Sequence, residues 1–175
     1  RHLQDHGEWP KGVVVDLWGS ASMRTAGEDF AMALHLAGLA PLWDEGSERV
    51  SGFEIVPVAL LRRPRIDVTL RVSGLFRDVF PGLSQMFEAG ADALSRRDWE
   101  GGDNPYTHRI ARVFGPKPGQ YGAGMTDLLD TFSPEARVAA GEAWLSASSW
   151  SIGADGTSRL DRAAVADEVT RHQLG

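Results

Sequence analysis

Apolar residues recur along this chain in two rhythms. In the first half, short and partly β-branched runs read as strands. KGVVVDLWG (Lys11–Gly19) is bounded by glycines and suits a buried strand. RRPRIDVTLRV (Arg62–Val72) is the clearest strand, with Pro64 fixing its start. PLW and VSGFEIVPV flank the charged tip DEGSER and give two more strand candidates. The second rhythm is helical. Phe30, Leu34 and Ala37 share one face of a helix expected from about Gly27 to Leu39, stopped by Gly38 and Pro41. Leu83, Met86, Phe87 and Leu94 mark another from Phe80 to about Arg97.

The order strand, loop, helix, strand, strand, loop, helix predicts an α/β fold. Its form is a small, mostly parallel sheet flanked by helices (a Rossmann/flavodoxin-like layer), with the first and third long strands side by side. Residues 1–97 make up this α/β domain. The acidic, glycine-rich DWEGGDNP then separates it from residues 98–175, a helical segment packed on it, in the same domain or a second one. YTHRIARVF, MTDLLDTF, PEARVAAGEAWLSASSW and TSRLDRAAVADEVTRHQ read as its helices, the last capped by Ser158. GPKPGQYGAG is loop, and SASSWSIGADG is a surface turn or the lip of a cleft.

Composition narrows the function. The apolar fraction of 42% is enough for a buried core. A net charge of −6 argues against a nucleic-acid backbone or an anionic membrane as the main partner. The absence of cysteine excludes disulfides, thiolate metal sites and cysteine nucleophiles. No apolar run has membrane-spanning length and no signal-peptide pattern opens the chain, so a cytoplasmic location is expected. The chain starts at Arg1, and RHLQDH reads as the tail of a helix, as in a piece of a longer polypeptide.

Candidate chemistry gathers where the strands end. In an open parallel sheet, ligands bind at the carboxyl edge, against the loops and helix starts that follow the strands. WGSASMRTAGED and SGLFRDVF both occupy that edge. They set Ser73, Arg77 and Asp78 opposite Ser22, Arg24, Thr25 and Glu28, with Trp18 and Phe76 as flat apolar surface. Arginine grips carboxylates through paired hydrogen bonds, so such a rim suits a carboxylate-bearing ligand. The alternative is that Arg77 and Asp78 pair with neighbours and cap the helix, with no ligand involved. Arg62, Arg63 and Arg65 fall at the other edge and are read as a solvated face, with pairing of Arg65 and Asp67 to neighbouring groups as the alternative. GQYGAG lacks the Gly-Lys-Ser/Thr ending of a phosphate-binding loop, and no strand precedes it. Its glycines allow close backbone approach or positive φ, with Tyr121 packed over them. His2 and His6 have the spacing of a helical metal pair but are read as exposed, and His35 as structural. His108, beside Arg109 and Arg112, is the histidine of interest.

Several stretches resemble a known family. WGSASMRTAGED, GFEIVPVALLRRPRIDVTLRVSGLFRDVFP, NPYTHRIARVFGPKPGQYGAG and the helix ending EAWLSASSW occur in this order. Together they are similar to the CobN/magnesium chelatase large subunits, over nearly the whole chain. PRIDV and SG-x-FRD-x-F are shared by both branches of that family. FGPKPGQYGAG is similar to the cobalt branch and unlike the serine-rich magnesium version. After Trp144 this chain departs from the branch: SASSWSIGADG stands where cobalt-type relatives have roughly WGGYAYG.

The resemblance implies an internal segment of a much longer subunit that binds a tetrapyrrole, hydrogenobyrinic acid a,c-diamide in the cobalt branch. That subunit receives cobalt as the metal substrate. Two ATPase-type partner subunits hydrolyse ATP and drive insertion. On this basis Arg24 and Arg77 are assigned to carboxylate anchoring, with Ser73, Thr25, Trp18 and Phe76 beside the substrate. Asp78 and Glu28 are base or metal-relay candidates with His108 behind them, and the metal ligands are left unassigned. A magnesium chelatase segment, or a non-catalytic α/β module for a small anionic ligand or partner subunit, are the alternatives.

Overall fold

The computed structural model describes residues 2–47, 49–122 and 133–173. The chain opens with α1 (His2–His6) and β1 (Gly12–Leu17), followed by α2 (Gly19–Arg24) and α3 (Glu28–Ala37). β2 (Leu39–Trp43) and β3 (Val50–Ile55) form an antiparallel ribbon of their own. A short α4 (Val58–Leu61) leads to β4 (Asp67–Val72), α5 (Gly74–Val79) and α6 (Pro81–Ser95). Two 3-10 turns, Asp98–Asp103 and Pro105–Thr107, precede β5 (Val113–Gly115). Helix α7 (Pro134–Ser146), β6 (Trp150–Ile152), β7 (Ser158–Leu160) and α8 (Arg162–Gln173) complete it.

The main sheet has the order β1-β4-β5-β6-β7. β1, β4 and β5 run parallel, and β6 and β7 add an antiparallel hairpin. The first and third long strands are neighbours as expected, in register from Gly12 opposite Asp67 to Leu17 opposite Val72. The fold is therefore a mixed α/β layer with a mostly parallel sheet flanked by helices, as expected from the sequence.

All six residues of β4 are buried, although its sequence alternates polar and apolar. Successive strand residues point to opposite faces, so the two faces carry different chemistry. Val68, Leu70 and Val72 join Val15, Leu17, Phe30, Leu34, Phe87 and Leu94 in the apolar core. Asp67, Thr69 and Arg71 face the other layer, where polar partners are supplied. Arg112 Nη1 lies 3.1 Å from Asp67 Oδ1 and 3.0 Å from Glu168 Oε2, and Thr69 donates to Glu168 at 3.1 Å. Buried charges persist only with such pairing.

Three local expectations change. YTHRIARVF is not a helix: Tyr106 sits in a 3-10 turn and Val113 begins a strand. The Tyr106 hydroxyl accepts from Val68 N and donates to Ile66 O, tying the segment to β4, and tertiary pairing overrides the helical spacing. Ser158 lies in β7, and the carboxylate that caps α8 is Asp161, which accepts from Ala164 N at 3.2 Å. SASSWSIGADG ends α7 and then forms β6 and the turn into β7. MTDLLDTF lies outside the described residues. Among the described residues no helix is long and apolar enough to cross a membrane.

Candidate functional site

β1 and β4 are parallel and end in register at Leu17 and Val72, so α2 and α5 begin at the same edge of the sheet. Ser73 joins them. Its side chain caps α5 by accepting from Phe76 N at 3.1 Å, and also accepts from Gly19 N at 3.2 Å. The sequence leaves no room between these turns. A Cβ on Gly74 would lie 2.2 Å from Gln120 O, so only glycine lets the loop after β5 cross the start of α5.

Arg77 is 9% exposed and largely committed within the chain. Its Nε and Nη2 donate to the two Asp78 carboxylate oxygens at 2.7 and 3.1 Å. Its Nη1 donates to Pro116 O and Lys117 O at 2.9 and 3.0 Å. Four of the five guanidinium hydrogens are thereby spent. These bonds turn Arg77 inward to fasten the 116–121 loop rather than outward as an anchor; it pairs with its neighbour Asp78, while the residue that caps α5 is Ser73. Tyr121 completes the clasp by donating its hydroxyl hydrogen to Asp78 Oδ2 at 2.6 Å. The Arg77 hydrogen bonds, and next the Tyr121 one, hold the Asp78 carboxyl below its ordinary range, so it stays ionised. The loop glycine Gly119 has φ 84°, the positive value expected for that stretch.

The other rim residues divide. Arg24 and Glu28 are exposed, Thr25 is half-buried and Ser22 is buried. Among the described residues, Ser22 Oγ and Thr25 Oγ1 are buried without a hydrogen-bond partner. Trp18 is 46% exposed, and its ring lies 5.2 Å from the Arg71 guanidinium. The Trp144 ring lies 5.7 Å from the same guanidinium, and Arg71 Nε donates to Ser148 Oγ at 3.1 Å. Arg71 thus steadies Trp18 from behind, an arrangement that sequence reasoning missed. The alternation of β4 placed Arg71 on one sheet face, but nothing local linked it to Trp144.

Two predicted residues do not reach the rim. Phe76 is fully buried, its ring 5.4 Å from Phe80, and belongs to the core rather than to a ligand surface. Burying such a ring contributes about 2–3 kcal/mol, which is its physical role here. His108 precedes β5 and therefore lies at the opposite, amino edge of the sheet. There it lines a cavity of about 230 Å³ with Glu88, Asp92 and Arg109. Burial raises the Glu88 carboxyl to about 7, partly offset by amide hydrogen bonds from Arg112 and Val113.

At the amino edge Arg62 is exposed, but Arg63 and Arg65 are buried, which corrects the solvated face expected for the three arginines. Arg65 grips Glu100 with Nε and Nη2 at 2.7 and 2.9 Å, and Arg63 donates to His35 O and Leu36 O. Among the described residues no group of three or more histidine, aspartate and glutamate side chains is placed to hold a metal ion.

Fold and rim together define a parallel α/β layer that presents an ionised carboxylate, an exposed arginine and an exposed indole at its carboxyl edge. The chain belongs to the CobN/Magnesium Chelatase family, whose model matches residues 1–174. It is 40% identical to the aerobic cobaltochelatase subunit CobN of Pseudomonas aeruginosa, over 94% of this chain and 15% of the relative. A magnesium-chelatase subunit of Rhodobacter capsulatus is 29% identical over 90% of this chain and 15% of its own length. Among solved structures, the catalytic subunit of cobaltochelatase from Mycobacterium tuberculosis superposes with a TM-score of 0.85 at 34% identity. That match covers 98% of this chain and 16% of that one. The chain thus spans about 15% of the length of these relatives.

Proposed function

We propose that this chain is part of the tetrapyrrole-binding large subunit of an ATP-dependent cobaltochelatase. The reaction is insertion of cobalt into hydrogenobyrinic acid a,c-diamide during cobalamin synthesis, with ATP hydrolysed by two ATPase-type partner subunits. The greater identity to the CobN relative than to the magnesium-chelatase relative supports the cobalt branch. The observation that carries the reading is the Asp78 clasp. FGPKPGQYGAG, the cobalt-type stretch, supplies the Pro116 and Lys117 carbonyls and the Tyr121 hydroxyl that hold Arg77 and Asp78 in place.

Metal insertion exchanges ring N–H protons for a divalent ion, so it needs a gripped macrocycle and a nearby anionic acceptor. Arg24 is exposed at the rim, with no ion-pair partner among the described residues, and can take a peripheral carboxylate. Trp18 offers an indole face to the macrocycle edge. Asp78, kept ionised, suits transient contact with cobalt or with a departing proton better than acid catalysis. Glu28 is a second exposed carboxylate on the same side, whereas His108 has no part in this rim. Location in the cytoplasm belongs to the same reading.

The test is titration of the protein with metal-free hydrogenobyrinic acid a,c-diamide, followed by its visible spectrum. A saturable shift, weakened in Arg24→Ala and Asp78→Asn, is the expected result. A folded protein that produces no shift favours the non-catalytic module, and preference for protoporphyrin favours the magnesium branch.

A further inference from the structure

The carboxyl edge holds more than the rim. A groove of about 950 Å³ opens between the β2–β3 ribbon and the turn from α5 to α6. Its lining includes Ala26 and Val79, the residues that follow rim positions Thr25 and Asp78. Phe53, Phe80, Leu83 and Met86 give it an apolar floor, and Arg49 is the sole charged residue among the described residues of the lining. Arg49 is exposed and has no ion-pair partner among the described residues. A side chain built at Gly82 would meet open space, so this part of the groove is unfilled by the protein.

Size, polarity and position decide the occupant. Small-molecule sites commonly measure roughly 300–1,000 Å³ and combine apolar walls with a few placed polar groups. The His108 cavity, at about 230 Å³, is too small for a macrocycle and lies at the wrong edge. The hollow beside Trp9, about 620 Å³, carries both Glu8 and Lys11 and is also on the amino side. Of these three, the groove joins a large apolar volume, a lone cation among its described lining residues and the carboxyl edge of the sheet. Its charge pattern fits a broad apolar molecule bearing a carboxylate, since one guanidinium grips that group and no acidic residue among the described lining residues repels it.

We infer that this groove seats an apolar face of the tetrapyrrole, with Arg49 taking one peripheral carboxylate, so that the macrocycle reaches the Asp78 side of the rim. The inference rests on the cobaltochelatase reading and specifies where the substrate lies. It makes the β2–β3 ribbon a substrate wall, whereas the sequence marks it only as two short strands around a charged tip. Val79 and Phe80 connect the two parts directly, because they continue the helix that carries Asp78.

Two variants test it in the same spectral titration with metal-free hydrogenobyrinic acid a,c-diamide. Gly82→Trp fills the groove from an open position, and Arg49→Ala removes the cation without touching the core. The expected result is at least a tenfold rise in Kd for Gly82→Trp and a several-fold rise for Arg49→Ala, with melting temperatures unchanged. Wild-type affinity in both variants, while Arg24→Ala still weakens the shift, overturns the groove and leaves the rim reading standing. Absence of any shift with the parent protein removes both. If Gly82→Trp fails to fold, Arg49→Ala decides alone, and wild-type affinity there overturns the inference.

Discussion

The Gly19 amide donates to Ser73 Oγ at 3.2 Å, bridging residues 54 positions apart. The same oxygen caps α5 through Phe76 N. One hydroxyl therefore fixes the relative position of the two turns that build the rim. Ser73→Ala removes a helix cap and strands a buried amide, for a combined cost of about 1–3 kcal/mol. Urea unfolding should show stability fall by that amount, and Arg24→Ala should leave it within about 0.5 kcal/mol of the parent.

Gly74→Ala should act on the loop rather than on the helix. Its new methyl would overlap Gln120 O, so the 116–121 segment must move off α5 and loosen the Arg77 clasp. Alanine is otherwise the better helix residue by up to about 1 kcal/mol. A net loss of about 1–3 kcal/mol in thermal unfolding would show that the close approach outweighs propensity.

Tyr121→Phe deletes the hydroxyl that donates to Asp78 and leaves the Arg77 pair intact. The Asp78 carboxyl then titrates at a higher pH than in the parent, though still below its ordinary range. Because its folded pKa is depressed, Asp78 contributes stability that is present above the unfolded pKa and is lost as pH falls through the folded value. The variant should lose that contribution at a slightly higher pH. Carboxyl-carbon NMR across the acid range reads the shift, and an unmoved Asp78 titration would remove Tyr121 from the clasp.

Glu88 has the opposite sign. Burial raises its carboxyl from 4.5 to about 7, so the folded protein holds the proton more tightly than the unfolded chain. Its contribution is full below the unfolded pKa and is lost as pH rises through about 7. Stability should decline between these values by at most about 3 kcal/mol, from the linkage of 1.36 kcal/mol per pKa unit. Glu88→Gln, which keeps an acceptor for the Arg112 amide, should flatten that slope in melts taken from pH 5 to 8.

Much of the fold was legible because burial imposes a pattern on local sequence. The GVVVDL strand, the Phe30–Leu34–Ala37 face and the helix from Pro81 to Ser95 all follow from residues that must meet one core. β5 was not legible, since three residues of VFG carry no period of their own. What makes them a strand is the neighbouring β4 and the anchoring of Tyr106 on it. The rim was half legible. Ser73, Arg77 and Asp78 were visible as chemistry after a strand, but neighbouring residues alone do not show that Arg77 turns inward to two carbonyls.

Residue order was enough to establish the alternation of β4, the helical faces, the family and the arginine and carboxylate that follow two strands. These are local or compositional, because side-chain period and backbone preference act over a few residues. Docking in three dimensions was needed before Ser73 could join Gly19, Trp144 could reach Arg71, Phe76 could face inward and His108 could fall at the far edge. Each of those depends on how strands register and helices pack, and that is settled by the summed burial of the whole chain rather than by any one segment.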